Sequence, residues 1–125
     1  MGMQSQRTII IAGGNFAGLT LARNLDRRHY HVTVLDPGQD FEWYPNTHEL
    51  ISRQKKAAHL RHSRQRILER LGHRFQQSAV TVIDRAQQRI TTSDGQSLPY
   101  DELVLAIGNV NSIDRIPGAR EHAIA

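Results

Sequence analysis

The sequence contains no cysteine. It can therefore form no disulfide, no thiolate metal site and no cysteine nucleophile, whatever compartment it occupies. No apolar run approaches the roughly 20 residues that a membrane-spanning helix needs. No span of a bilayer is expected. The apolar stretch from Thr8 to Ala12 is too short for the core of a secretory leader, and no small-residue cleavage site follows it, so a cytoplasmic location is expected. Internal repeats and low-complexity segments are missing from the 125 residues, a length that suits one domain with one core. No Ser-His-Asp order or paired-carboxylate arrangement emerges either.

What is present is an ordinary globular composition, 38% hydrophobic and 22% charged, with a net charge of +4. The positive excess is local. Eight of the 16 Lys and Arg residues lie between Arg53 and Arg74, beside the single acid Glu69. An anionic partner such as nucleic acid or a lipid surface would be drawn to such a run. The basic face lacks interleaved aromatics for stacking bases, however, and Leu60, Ile67, Leu68 and Leu71 suffice to dock the segment on a core. A solvated outer helix is the expectation, with no nucleic-acid partner. His59 and His62 have the spacing of one helical face, but no third ligand joins them, so no metal is expected.

Read in order, Thr8 to Ala12 is a β-branched run ending on Gly13-Gly14, the pattern of a buried strand stopping at a turn. Leu21, Ala22 and Leu25 then recur at helical spacing from Ala17 to about Arg28. His31 to Asp36 is a second apolar strand, closed by Pro37-Gly38. Residues 8–36 thus form a βαβ unit. The loop 39–46 leads into a short helix that Asn46 can cap, with Glu49 completing a capping box. A longer helix is expected from about Lys56 to Leu71, stopped by Gly72. Beyond it the period alternates: 74–77, 79–84, 89–92 and 97–100 read as an antiparallel meander with a turn at Asp94-Gly95. Leu103 to Ile107 is a continuous apolar strand ending on Gly108, and Asn109 to Gly118 is turn-rich, like an exit to another domain. The fold class is α/β, a Rossmann-like parallel sheet with an added antiparallel meander.

A strand, a glycine-rich turn and a helix make a pyrophosphate site, because the helix N-terminus offers free N–H groups and partial positive charge. Gly13-Gly14-Asn15-Phe16-Ala17-Gly18 occupies that junction. Set on the G-x-G-x-x-G fingerprint, Gly13 makes the turn and Gly18 allows close helix packing, whereas Asn15 stands at the middle glycine. Asn tolerates a left-handed backbone, and its amide can donate to a phosphate. Asp36 ends the second strand about 20 residues on, where an acid accepts from a ribose hydroxyl; it also opens an Asp-Pro-Gly turn. An acid there disfavours a 2′-phosphate, and both FAD and NAD carry a plain adenosine ribose.

The run from Ile9 to Leu25 resembles the opening of type II NADH dehydrogenases and related pyridine-nucleotide:quinone oxidoreductases, the sulfide:quinone branch included, within the pyridine nucleotide-disulfide oxidoreductase superfamily. Tyr100 to Gly108 is similar to the strand that closes the family's first FAD segment. The resemblance extends from about Arg7 to Gly118. It departs at Asn15, at Ile107 in place of a usual threonine, and in lacking the redox cysteines of the disulfide reductases.

The resemblance implies FAD as cofactor. Gly13, Gly14, Asn15, Phe16, Ala17 and Gly18 would line its pyrophosphate, Asp36 its ribose and the Val80 backbone its adenine. Ala106, Ile107 and Gly108 would approach it at the domain junction. The loop from Trp43 to Asn46, with Pro45, would lie near the flavin, although Trp43 equally suits a core anchor. It further implies NADH as co-substrate, a quinone or similar small acceptor, and attachment at the inner face of the plasma membrane. The NADH domain and a C-terminal membrane-attachment part are expected past residue 125, so the 125-residue chain itself is expected to be inactive. A homodimer, a stand-alone NAD-binding module and a non-catalytic truncated product stay open.

Overall fold

The computed structural model describes residues 5–110 and 115–122. Residues 1–4, 111–114 (part of the segment read as a turn-rich exit) and 123–125 lie outside the described residues. Strand β1 (Arg7–Ala12) and strand β2 (Tyr30–Asp36) pair in parallel, from Arg7 opposite Tyr30 to Ala12 opposite Leu35, with helix α1 (Phe16–Asn24) as the crossover. The helix stops short of the expected Arg28. Asp26 accepts from the Arg28 backbone N–H at 2.8 Å and from its guanidinium at 2.6 Å, while the Asp26 carbonyl accepts from His29 and Tyr30, turning the chain into β2. Hydrogen bonds from the Arg28 side chain and backbone hold the Asp26 carboxyl down at about 2.

After β2 the chain forms strand β3 (Asp40–Glu42), a 3-10 turn (Tyr44–Asn46), helix α2 (His48–Ile51) and a second 3-10 turn (Ala57–Leu60). Strand β4 (Arg61–Ser63) then pairs antiparallel with β3 and leads into helix α3 (Arg64–Leu71). Two expectations are corrected here. Asn46 does not cap α2: its side-chain oxygen accepts from the Trp43 indole N–H at 2.6 Å, and Thr47 precedes the helix without a side-chain cap. The helix expected over 56–71 is divided. Ser63 caps α3 by accepting from the Arg66 N–H, and the Leu60 carbonyl is taken by Trp43, so Leu60 belongs to the β3–β4 lobe and Leu68 to the core. His59 and His62 consequently sit on a 3-10 turn and a strand, not on one helical face. Gly72, at φ 76°, ends α3 in the left-handed conformation.

Strand β5 (Arg74–Gln77) joins the parallel sheet beside β2 instead of opening the meander, because Phe75 packs into the cluster beneath α1 and α3. The meander is strands β6 (Val80–Asp84), β7 (Arg89–Thr92) and β8 (Ser97–Pro99), its last turn made at Gly95 with φ 81°. Strand β9 (Glu102–Leu105) returns parallel to β1, giving the order β5-β2-β1-β9, and a short helix α4 (Ala119–His122) follows.

The central sheet is covered on both faces, which is why its strands read as continuous apolar runs. Ile9, Ile11, Val32 and Val34 bury one face against Ala22 of α1 and Leu68 of α3. Ile10 and Leu35 point the other way, to Ile90 of the meander.

Candidate functional site

The strand order reverses at β1, whose neighbours lead to β2 on one side and β9 on the other. In open α/β sheets the crevice beyond the carboxyl ends of such strands is where ligands bind. The glycine loop occupies that point. Gly13 has φ 112°, and a Cβ on it would collide with the carbonyl oxygen of Ala106, the residue just past β9. A Cβ on Gly18 would strike the Gly13 carbonyl oxygen, so Gly18 is what lets α1 lie against the loop. The N-terminus of α1 carries no acid in its first turn, leaving its positive end uncompensated by a side chain.

Two cavities flank the loop and share Asn15. One of about 430 Å³ is bounded by Gly13, Asp36, Val80, Ile83, Leu105 and Ile107 among others. The other, about 570 Å³, is bounded by Asn15, Phe16, Ala17, Tyr44, Ala106, Gly108 and Asn109. The structure therefore brings Gly13, Asn15, Phe16, Ala17, Asp36, Val80, Ala106, Ile107 and Gly108 to these two cavities, whereas Gly14 and Gly18 are buried and line neither. In the 44–46 turn, Tyr44 forms cavity wall, whereas Pro45 is exposed and is not among the lining residues. Trp43 is 41% exposed and packs on Phe16 at 5.5 Å between ring centroids, so it is not a buried core anchor.

Asp36 is buried and already engaged. One carboxylate oxygen accepts from the Gly14 N–H at 2.8 Å and the other from the Gly38 N–H at 2.8 Å. Each oxygen keeps a further lone pair. Asn15 has φ −98°, an ordinary extended backbone, so the left-handed tolerance of asparagine is not used.

The residue that sequence reasoning missed is Arg64. At 4% exposure, it donates from Nε to the Gly14 carbonyl at 2.7 Å, from Nη1 to the Gly38 carbonyl at 2.8 Å and to the Asp40 carbonyl, and from Nη2 to Asn15 Oδ1 at 2.6 Å. Its Nη1 also stands 3.4 Å from Asp36 Oδ1. Within a run of eight basic residues nothing marked it as the inward one. Asn15 at a glycine position was the single hint that the loop needs an extra partner.

The family of pyridine nucleotide-disulphide oxidoreductases matches residues 7–125. The chain belongs to this family. Among curated members, it is 26% identical over 126 residues to the demethylphylloquinone reductase NdbB of Synechocystis, covering 93% of this chain and 31% of that protein. It is 32% identical over 117 residues to an NADH dehydrogenase-like protein of Mycobacterium tuberculosis, covering 90% of this chain and 29% of that protein. The chain thus spans about three tenths of the length of these relatives. Among solved structures, NDH2 of Plasmodium falciparum in complex with NADH superposes with a TM-score of 0.78 at 24% identity, over 95% of this chain and 26% of that one. The sulfide:quinone oxidoreductase of Aquifex aeolicus gives 0.74 at 22%, over 85% of this chain and 25% of that one. At these identities the superpositions establish the fold, a Rossmann-type α/β unit with a parallel sheet and a separate meander. No helix among the described residues is long and apolar enough to cross a membrane.

Proposed function

We propose that this chain binds FAD as the N-terminal cofactor-binding part of an NAD(P)H:acceptor flavoprotein oxidoreductase. One observation carries the reading: the glycine loop at the sheet's switch point separates two cavities, and their walls fit the two halves of a flavin dinucleotide. The residues present suit that group. Glycines whose Cβ positions are filled by backbone let α1 and the end of β9 close on the loop, so that the α1 N-terminus faces the groove where a diphosphate would lie. The cavity bounded by Asp36, Val80, Ile83 and Leu105 offers an apolar slot beside a carboxylate, the chemistry of an adenosine. The cavity bounded by Phe16, Tyr44, Ala106 and Gly108 is left for the flavin end. When bound, FAD supplies the capacity to accept a hydride and pass on electrons; the protein's part is binding, orientation and electrostatics.

The acceptor we propose is a quinone. Relatives named as a demethylphylloquinone reductase and as an external NAD(P)H-ubiquinone oxidoreductase of Arabidopsis thaliana support it. A quinone acceptor in turn favours peripheral attachment at a membrane.

The test is a titration of the chain with FAD and with NADH, followed by flavin fluorescence and calorimetry. FAD is expected to bind the more tightly. Tighter binding of NADH, or no binding of FAD, would overturn the assignment.

A further inference from the structure

The middle position of the phosphate fingerprint takes a glycine so that backbone can approach the pyrophosphate. Asn15 breaks that rule at the point where the two cavities meet. Its side chain is nevertheless not loose. Oδ1 is held by Arg64 Nη2 at 2.6 Å, while the amide nitrogen has no partner among the described residues. Because the oxygen is the acceptor for a guanidinium, which cannot accept, the rotamer and the orientation of the amide are both fixed by this one bond.

Arg64 is itself over-determined. It is buried, the backbone carbonyls of Gly14 in the glycine loop, Gly38 in the β2–β3 connection and Asp40 at the start of β3 accept from it, and Asp36 stands beside it as counter-charge. A Cβ on Gly14 would sit 2.8 Å from the Arg64 side chain, so the second glycine serves to admit the guanidinium and not the ligand.

We propose that Arg64 and Asn15 together replace the middle glycine: Arg64 draws the Asn15 oxygen back toward the loop's underside, leaving the Asn15 amide N–H groups facing the diphosphate as donors. Arg64 is then a positioning residue that acts through Asn15. This rests on the FAD reading above. It adds a specific coupling between position 15 on the loop and position 64 on α3.

The coupling is measured as a double-mutant cycle in FAD affinity with Arg64→Lys, Asn15→Gly and the double variant. Lysine keeps the charge and loses the planar fork. In the Asn15 background Arg64→Lys is expected to weaken FAD binding by about tenfold or more, and in the Asn15→Gly background by about threefold or less. Equal losses in both backgrounds would overturn the proposal. If the parent chain binds no FAD, the flavin assignment fails, and the coupling is read in the free protein. There, Arg64→Lys should speed hydrogen exchange in residues 13–18 while β1 and β2 stay protected, and unchanged exchange in the loop sinks it. Should Arg64→Lys fail to fold, Asn15→Leu serves instead, since it removes the acceptor and leaves the buried guanidinium in place. It is expected to bind FAD about tenfold more weakly than Asn15→Gly, and parity between them would refute the idea.

Discussion

Single atoms decide the glycine loop. Gly18 lies in α1 with no left-handed φ, so what it contributes is space: any Cβ there meets the Gly13 carbonyl. Gly95 presents the opposite case, with φ 81° and open space where a Cβ would point. Comparing alanine at the two positions separates steric from conformational cost. Gly18→Ala is expected to lose about 1 to 3 kcal/mol in urea unfolding, through overpacking, together with most FAD affinity. Gly95→Ala is expected to lose about 1 to 2 kcal/mol from left-handed strain and leave FAD affinity unchanged. If Gly18→Ala retained full affinity, the close approach of α1 to the loop would not matter for the ligand. Asp36 belongs to the same scale: it ties Gly14 to Gly38 as well as facing the groove, so its two roles share one carboxylate.

At the scale of elements, α1 is held at both ends by parts of the chain far away in sequence. Its N-terminus is set by the loop and Arg64. Its C-terminus is closed by His73, buried to 6% exposure, whose Nε2 lies 2.9 Å from the Ala22 carbonyl and 3.1 Å from the Leu25 carbonyl. Since carbonyls only accept, Nε2 carries the hydrogen and donates to both. Removing that donor leaves buried carbonyls without it. His73→Ala is expected to destabilise the chain by about 1 to 3 kcal/mol. FAD affinity should change little, because the proposed site lies at the other end of the helix. Thermal melting and a flavin titration on the same sample check both halves of this expectation, and an unchanged melting temperature would reduce His73 to a spectator.

For the whole molecule, the parallel sheet is the middle layer, with helices on one face and the meander on the other. The meander and the residue before it supply Ala79, Val80 and Ile83 to the groove, yet Ile90, 1% exposed and clustered with Ile10 and Leu35, is the buried apolar residue by which it grips the sheet. Ile90→Ala is expected to cost about 2 to 5 kcal/mol. Hydrogen exchange should show the loss first in β6 to β8, ahead of β1 and β2, and FAD affinity should fall as the wall proposed for adenosine loosens. Uniform loss of protection across both sheets would mean that the layers unfold as one unit.

The sequence by itself determined the βαβ unit, the glycine loop, the acid ending β2 and the strand returning before Gly108. These are local signals: an apolar run, a turn and a periodic helix each declare themselves within a dozen residues. Only the tertiary structure decided where β5 pairs, since Arg74-Phe-Gln-Gln has one apolar side chain and fits either sheet until Phe75 finds the helix-face cluster. The same holds for the break in the 56–71 segment, where pairing of β4 with β3 outweighs helical periodicity. It holds most of all for Arg64 and His73. Each is a polar side chain whose burial depends on carbonyls about 50 residues away, and no local pattern encodes a partner at that distance.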